Sequence, residues 1–117
     1  MQKLMLLNTT VMGALPAHGE TFTYSLTALT ADEARALVKE AVLHGPGVES
    51  YVGHAATCSA MTTILGCPVP ESRAMSAQQP GQRAIALKIR GRLPEGTVLD
   101  GDGLEAIGYD LYLITRE

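Results

Sequence analysis

The sequence predicts a single α/β domain over residues 1–117, a mixed β-sheet of about five strands flanked by helices. Three observations point there. The chain has 117 residues, about the size of one domain and enough for one core. Short apolar or alternating runs, the mark of strands, recur along it. Two stretches with apolar residues at helical spacing, each with start and stop signals, lie between those runs, as in folds whose helices cover a sheet.

Residues 3–7 carry the run Leu4-Met5-Leu6-Leu7 and read as a buried first strand ending at Asn8-Thr9-Thr10. The run is too short to cross a membrane and lacks the length and cleavage pattern of a signal peptide. Residues 13–19, with Pro16, His18 and Gly19, read as loop. Over 21–26, Phe22, Tyr24 and Leu26 alternate with Thr21, Thr23 and Ser25, which predicts a half-buried strand. Thr30-Ala31-Asp32-Glu33 is a capping-box pattern. Ala34, Leu37, Val38, Ala41 and Val42 follow at helical spacing, His44 falls in the last turn, and Gly45-Pro46 ends the helix. A second helix is expected over 55–65, burying Cys58, Met61, Ile64 and Leu65, with Gly66 and Pro68 stopping it. Residues 68–80 read as irregular, with a short extended piece at 72–75. Over 83–92, Ile85, Leu87 and Ile89 face one way while Lys88, Arg90 and Arg92 face the other. Pro94-Glu95-Gly96 marks a turn. Residues 97–99 read as a short extended piece, 104–107 as one helical turn and 109–115 as a final strand.

Composition narrows the function. Hydrophobic residues make up 46% and charged residues 18%, a balance that folds. Aromatics are 4% with no Trp, so the core must be largely aliphatic. The net charge of −3 argues against coating long nucleic acid through a broad basic surface. A few local cations and backbone N–H groups can still hold a small anion. Cys58 and Cys67 would sit roughly 13 Å apart on a helix, beyond the roughly 7 Å a disulfide allows. Two free thiols and a reducing, cytoplasmic setting are the expectation. Two Cys and three scattered His make a poor structural zinc site. Phosphate-loop, dinucleotide and nucleophile-elbow motifs are absent. The chemistry expected therefore uses few residues, no metal and no cofactor.

His54 follows Gly53 and immediately precedes the second helix. Helix N-termini expose unpaired N–H groups and partial positive charge, and a histidine there can exchange a proton with a bound phosphodiester. Taken alone, His54 reads better as a surface or capping residue. Lys88, Arg90 and Arg92 share a strand face, and Glu95 lies just beyond, across the proline turn. Arginine pairs with phosphate in bidentate fashion, yet an ordinary solvated strand face is the plainer reading. Arg73 and Arg83 are weaker candidates of the same kind. Asn8, Thr9 and Thr10 end the first strand, where ligands gather in open α/β sheets; a satisfied turn explains them as well.

Taken together, the pieces resemble a known family. They are Leu6-Leu7-Asn8, then Gly53-His54-Ala55-Ala56-Thr57, then Leu65-Gly66 with Val69-Pro70 and Arg73. Next come Leu87-Lys88-Ile89-Arg90-Gly91-Arg92-Leu93-Pro94-Glu95-Gly96 and Leu104-Glu105-Ala106-Ile107-Gly108-Tyr109. In order and spacing the chain resembles the small viral and prokaryotic ring nucleases that include the type III anti-CRISPR proteins. The most specific element is Gly-His-x-x-Thr together with Arg-Leu-Pro-Glu-Gly at this separation.

The resemblance implies a homodimer with cyclic tetraadenylate lying across the interface, cut without metal to linear products ending in a 2′,3′-cyclic phosphate. That activity would switch off type III CRISPR signalling in the host cytoplasm. By position His54 matches the catalytic histidine, and Arg92 and Glu95 match the motif arginine and glutamate. Asn8, Gly53, Thr57, Arg73 and Lys88 fall where family members contact the ligand, and Thr9 or Thr10 stands in for a serine near the first strand. Ala56 replaces a hydroxyl residue of some viral members, and the loop over 75–82 differs in character. The alternative is a protein that binds the cyclic nucleotide without cutting it.

Overall fold

The computed structural model describes residues 2–8, 16–72, 78–90 and 108–117. Five strands and two helices follow in the order β1 (Leu4–Leu7), β2 (Tyr24–Leu29), α1 (Ala31–His44), β3 (Val48–Ser50), α2 (Ala55–Leu65), β4 (Arg83–Ile89) and β5 (Tyr109–Arg116). The strands form one mixed sheet in the order β2-β5-β4-β1-β3. β1 runs parallel to both β3 and β4, while β5 is antiparallel to its neighbours β4 and β2. Four strands therefore share one direction, and their carboxyl ends meet at one edge of the sheet.

Alternation along the strands sorts the core into two layers. Leu4, Leu6, Ile85, Leu87 and Leu111 join Ala34, Val38 and Ala41 of α1 and Cys58, Ala60, Met61, Ile64 and Leu65 of α2 in one cluster. Both helices thus lie on the same face. Each fully buried aliphatic side chain contributes roughly 1.5–3 kcal/mol, so this layer is the main attachment of the helices. On the opposite face Met5, Leu7, Ala84, Ala86 and Ile114 are buried with Tyr24, Tyr51 and Tyr112 against them.

The two helices hold their ends differently. Thr30 Oγ1 accepts from the Glu33 N–H, and the Glu33 carboxylate accepts from the Thr30 N–H, completing the capping box of α1. Helix α2 ends at Gly66, whose φ of +71° is left-handed, a conformation glycine adopts without a Cβ penalty. The Gly66 N–H donates to Thr62 O, and the Thr62 hydroxyl in turn accepts from Val69 N–H. That ties the chain leaving α2 back onto the helix.

Three expectations need correction. The strand expected over 21–26 runs instead over Tyr24–Leu29, and Leu26 is 54% exposed, because β2 is an edge strand whose side chains find few neighbours. Val42, placed on the buried stripe of the first helix, is 51% exposed; Ala34, Val38 and Ala41 form that stripe, with Leu37 partly buried against the core. The strand expected over 83–92 ends at Ile89, and between the helices β3, a strand without a signal of its own in the sequence, pairs with β1 from Leu4↔Val48 to Leu6↔Ser50. The short pieces expected at 97–99 and 104–107 and the turn at 94–96 lie outside the described residues, as does most of 72–75. Cys58 and Cys67 are free thiols, the first buried and the second half-buried; burial pushes both thiols up from their ordinary pKa. Among the described residues no helix is long and apolar enough to cross a membrane.

Candidate ligand site at the carboxyl edge of the sheet

The parallel strands carry several of the singled-out residues to one edge. Asn8 directly follows β1, the strand between β3 and β4. The chain leaving β3 continues alongside it, with the Tyr51 N–H donating to Leu6 O at 2.9 Å. The next residue, Val52, is fully buried; its carbonyl accepts from Ser72 N–H at 2.8 Å and lies 3.5 Å from the Cys58 thiol. These contacts anchor the turn just before Gly53 and His54. On the other side of β1, Leu7 is in register with Ala86 of β4, and Lys88 stands two residues farther on.

His54 is the N-cap residue of α2, in extended conformation at φ −128° and ψ 123°, and its side chain makes no cap hydrogen bond. Its backbone carbonyl accepts the first helical bond, from Cys58 N–H at 2.9 Å. The imidazole is exposed, and no acidic residue occupies the first turn. Thr57 lies in that turn, half-buried. The start of α2 therefore offers N–H groups without a side-chain cap beside an exposed histidine, an arrangement suited to anions.

Gly53, His54 and Thr57 stand at the start of α2, and Asn8 follows β1 at the carboxyl side of the sheet. Lys88 reaches the same edge, but alternation puts it on the face opposite the helices: Ala84 and Ala86 pack there, while Ile85 and Leu87 face the helices. Thr9, Thr10, Arg73, Arg92 and Glu95 lie outside the described residues.

One pair escaped the sequence reading. Arg90, just past β4, donates from Nε to Asp110 Oδ2 at 3.1 Å and from Nη2 to Oδ1 at 2.7 Å. Lys88 is Asp110's partner across the β4–β5 ladder. The Arg90 hydrogen bonds, then the charges of Arg90 and Lys88, hold the Asp110 carboxyl below its usual range. Asp110 lies far from Arg90 in sequence, so only strand register reveals the pairing. Clefts open at both edges of the described sheet. One, of about 400 Å³, lies between Thr30-Ala31 and Tyr109-Asp110 at the carboxyl edge; the other, of about 310 Å³, lies between Lys3, Arg83 and His44 at the opposite edge. Among the described residues no group of three His, Cys, Asp or Glu is placed to hold a metal ion.

Comparison with known proteins settles the lineage. The STIV B116-like family model matches residues 4–111. The chain belongs to the STIV B116-like family. Among its relatives, the ORF117 protein of Acidianus two-tailed virus is 35% identical over 114 residues, covering 97% of this chain and 92% of that protein. Protein 26 of the Sulfolobus islandicus filamentous virus (Iceland/Hveragerdi isolate) is 30% identical over 111 residues, covering 94% and 88%. In fold the chain is similar to B116 of Sulfolobus turreted icosahedral virus, with a TM-score of 0.78, 20% identity, and 97% and 98% of the two chains aligned. These relatives are viral proteins, and the five-stranded α/β fold described above matches that of B116.

Proposed function

We propose that this STIV B116-like protein is a homodimeric ring nuclease that binds cyclic tetraadenylate and opens it, switching off type III CRISPR signalling in the infected cell. The observation that carries the reading is His54. It stands at the uncapped start of α2, exposed, with its side chain free of any cap bond and with Asn8 and Thr57 close to the same edge.

The chemistry asks little of the protein. The ribose 2′-OH attacks the adjacent phosphorus, forming the 2′,3′-cyclic phosphate, and the bond from phosphorus to the 5′-oxygen breaks. The 2′-OH proton leaves to solvent, and His54 delivers a proton to the departing 5′-oxygen. The nucleophile belongs to the ligand and is already near its target, so positioning supplies much of the rate. The N–H groups at the start of α2 suit the phosphoryl oxygens. By the resemblance, Arg92 stabilises charge on those oxygens and Glu95 orients Arg92, while Arg73, Lys88 and Thr9 or Thr10 hold the ring. A two-fold ring on a two-fold dimer meets each His54 in the same way.

Incubation with cyclic tetraadenylate in EDTA, followed by chromatography, tests the reading. Linear adenylates ending in 2′,3′-cyclic phosphate are the expected products. Intact ring recovered from a tight complex would replace the nuclease by a sequestering protein, and absence of both cleavage and binding would remove the reading altogether.

A further inference from the structure

Where β2 leaves the sheet, a notch opens. The β2–β5 ladder stops at Leu29↔Leu111, because Thr30 turns the chain into α1. Among the described residues, Tyr109 and Asp110 of β5 have strand partners only on β4. The resulting cavity of about 400 Å³ is lined by Ala28, Thr30, Arg90, Asp110 and Tyr112 among others, a volume within the range of small-ligand sites.

Arg90 is unusually well held for so exposed a residue. Its backbone N–H donates to Gly108 O at 3.0 Å, and two guanidinium nitrogens are committed to Asp110. The stem lies across Gly108, where an added Cβ would fall 3.1 Å from Arg90 Cδ and 3.3 Å from Nη1; φ at Gly108 is +85°. Glycine is thus required twice at that position, for its conformation and for the close passage of the arginine. Yet the Arg90 side chain remains 62% exposed. A surface ion pair adds little stability, with a median of about 0–1 kcal/mol, so stability does not account for this degree of organisation. Its product is a guanidinium plane of fixed orientation, open to the notch.

The lining decides what suits that plane. Asp110 lies in the notch, and Asp32 and Glu33 occupy the first turn of α1 beside it, which disfavours a bare anion. Ala28, Leu29 and Leu111 supply apolar wall, and Tyr112 adds a half-buried ring. A planar, neutral heteroaromatic ring fits these conditions, because guanidinium planes stack on bases and each carboxylate oxygen can accept a second hydrogen bond, for instance from an exocyclic amine. Lys88 lies beside Asp110 on the same sheet face, where it can meet the phosphate attached to such a base.

We infer that the Arg90–Asp110 notch is a base platform that receives an adenine of the bound nucleotide. The inference rests on the reading of the protein as an adenylate-binding ring nuclease and adds the residues that choose the base. Arg90 is a binding residue in this scheme, apart from the proton chemistry at His54.

Three variants test it, with adenosine 5′-monophosphate and cyclic tetraadenylate as probes: Arg90→Ala, Arg90→Lys and Asp110→Asn. In the wild-type protein, adenosine monophosphate should shift the backbone amide NMR signals of residues 108–112. Arg90→Ala should raise KM for the ring roughly 10- to 100-fold, the span typical of losing one base stack, with kcat nearly unchanged. Arg90→Lys keeps the charge but not the plane and should fail to restore KM; a purely structural ion pair would be rescued by it. Asp110→Asn should weaken binding in the same direction. Ring cleavage with unchanged KM in Arg90→Ala, or rescue by lysine, overturns the platform while leaving the nuclease standing. Amide shifts at 108–112 without any ring cleavage overturn the nuclease and leave the platform. Absence of binding by either probe overturns both.

Discussion

Helices α1 and α2 both begin from an extended residue, and there the likeness ends. The start of α1 is closed: Thr30 and Glu33 satisfy each other's backbone N–H groups, and Asp32 and Glu33 add negative charge to the positive end of the helix. The start of α2 has His54 where α1 has Thr30, no side-chain cap and no acid in the first turn. A capping Ser, Thr, Asp or Asn is typically worth about 1 kcal/mol, so α2 forgoes stabilisation that α1 collects. The difference separates a helix start closed by its own side chains from one left without a side-chain cap.

Substitutions at the two ends sharpen the contrast. The largest effect is expected for His54→Ala, which should slow single-turnover ring cleavage about 10²–10⁴-fold, the usual worth of general acid–base catalysis. Its urea unfolding midpoint should barely move, because the imidazole caps nothing; cutting at the wild-type rate would end the proposed mechanism. Next comes Met61→Ala, inside the layer beneath α2. With no cap to rely on, α2 depends on packing, and losing this fully buried side chain should cost about 2–5 kcal/mol in denaturant unfolding. Thr30→Ala should cost about 1 kcal/mol in denaturant unfolding. His54→Ser installs the cap α2 lacks and should stabilise the fold by about 0.5–1 kcal/mol while abolishing cutting. A loss of stability there would mean that the start of α2 is not geometrically a cap.

The smallest effect concerns pH. Hydrogen bonds from Arg90 depress the Asp110 carboxyl, so its contribution to stability is present above the ordinary aspartate range and fades as pH falls through the lowered value. Wild type and Asp110→Asn should therefore differ most near neutrality and converge in acid. Thermal melts at a series of pH values measure this; a gap that widens in acid would contradict the sign.

Local patterns carried much of the architecture into the sequence. Capping and stop signals set α1 and α2 at the boundaries observed, and alternation identified β4 and β5. What escaped depends on partners distant in the chain. Val48–Ser50 is a strand only because β1 lies beside it, and three residues show no periodicity of their own. The strand β2 lies three residues later than its alternation suggested, and Leu26 stays exposed because an edge strand need not bury the residues its alternation favours. At the site, His54 and Asn8 were visible because helix starts and strand ends are local features. Asp110 was invisible as a partner of Arg90, since the register between β4 and β5 is written in neither strand alone.

The place of β5 in the sheet also governs the order of assembly. The last of the five strands in sequence sits between β2 and β4, and β2 has no other neighbour, with Tyr24 waiting for Arg116. During synthesis the segment of β2 emerges early but has nothing to pair with until β5 follows. Such long-range pairing slows folding. The β1, β3 and β4 segments can pair before β5 arrives, but the core beneath the helices closes only when Leu111 of β5 joins it. The carboxyl edge is completed late as well, since the notch beside Arg90 exists only once β5 has been inserted.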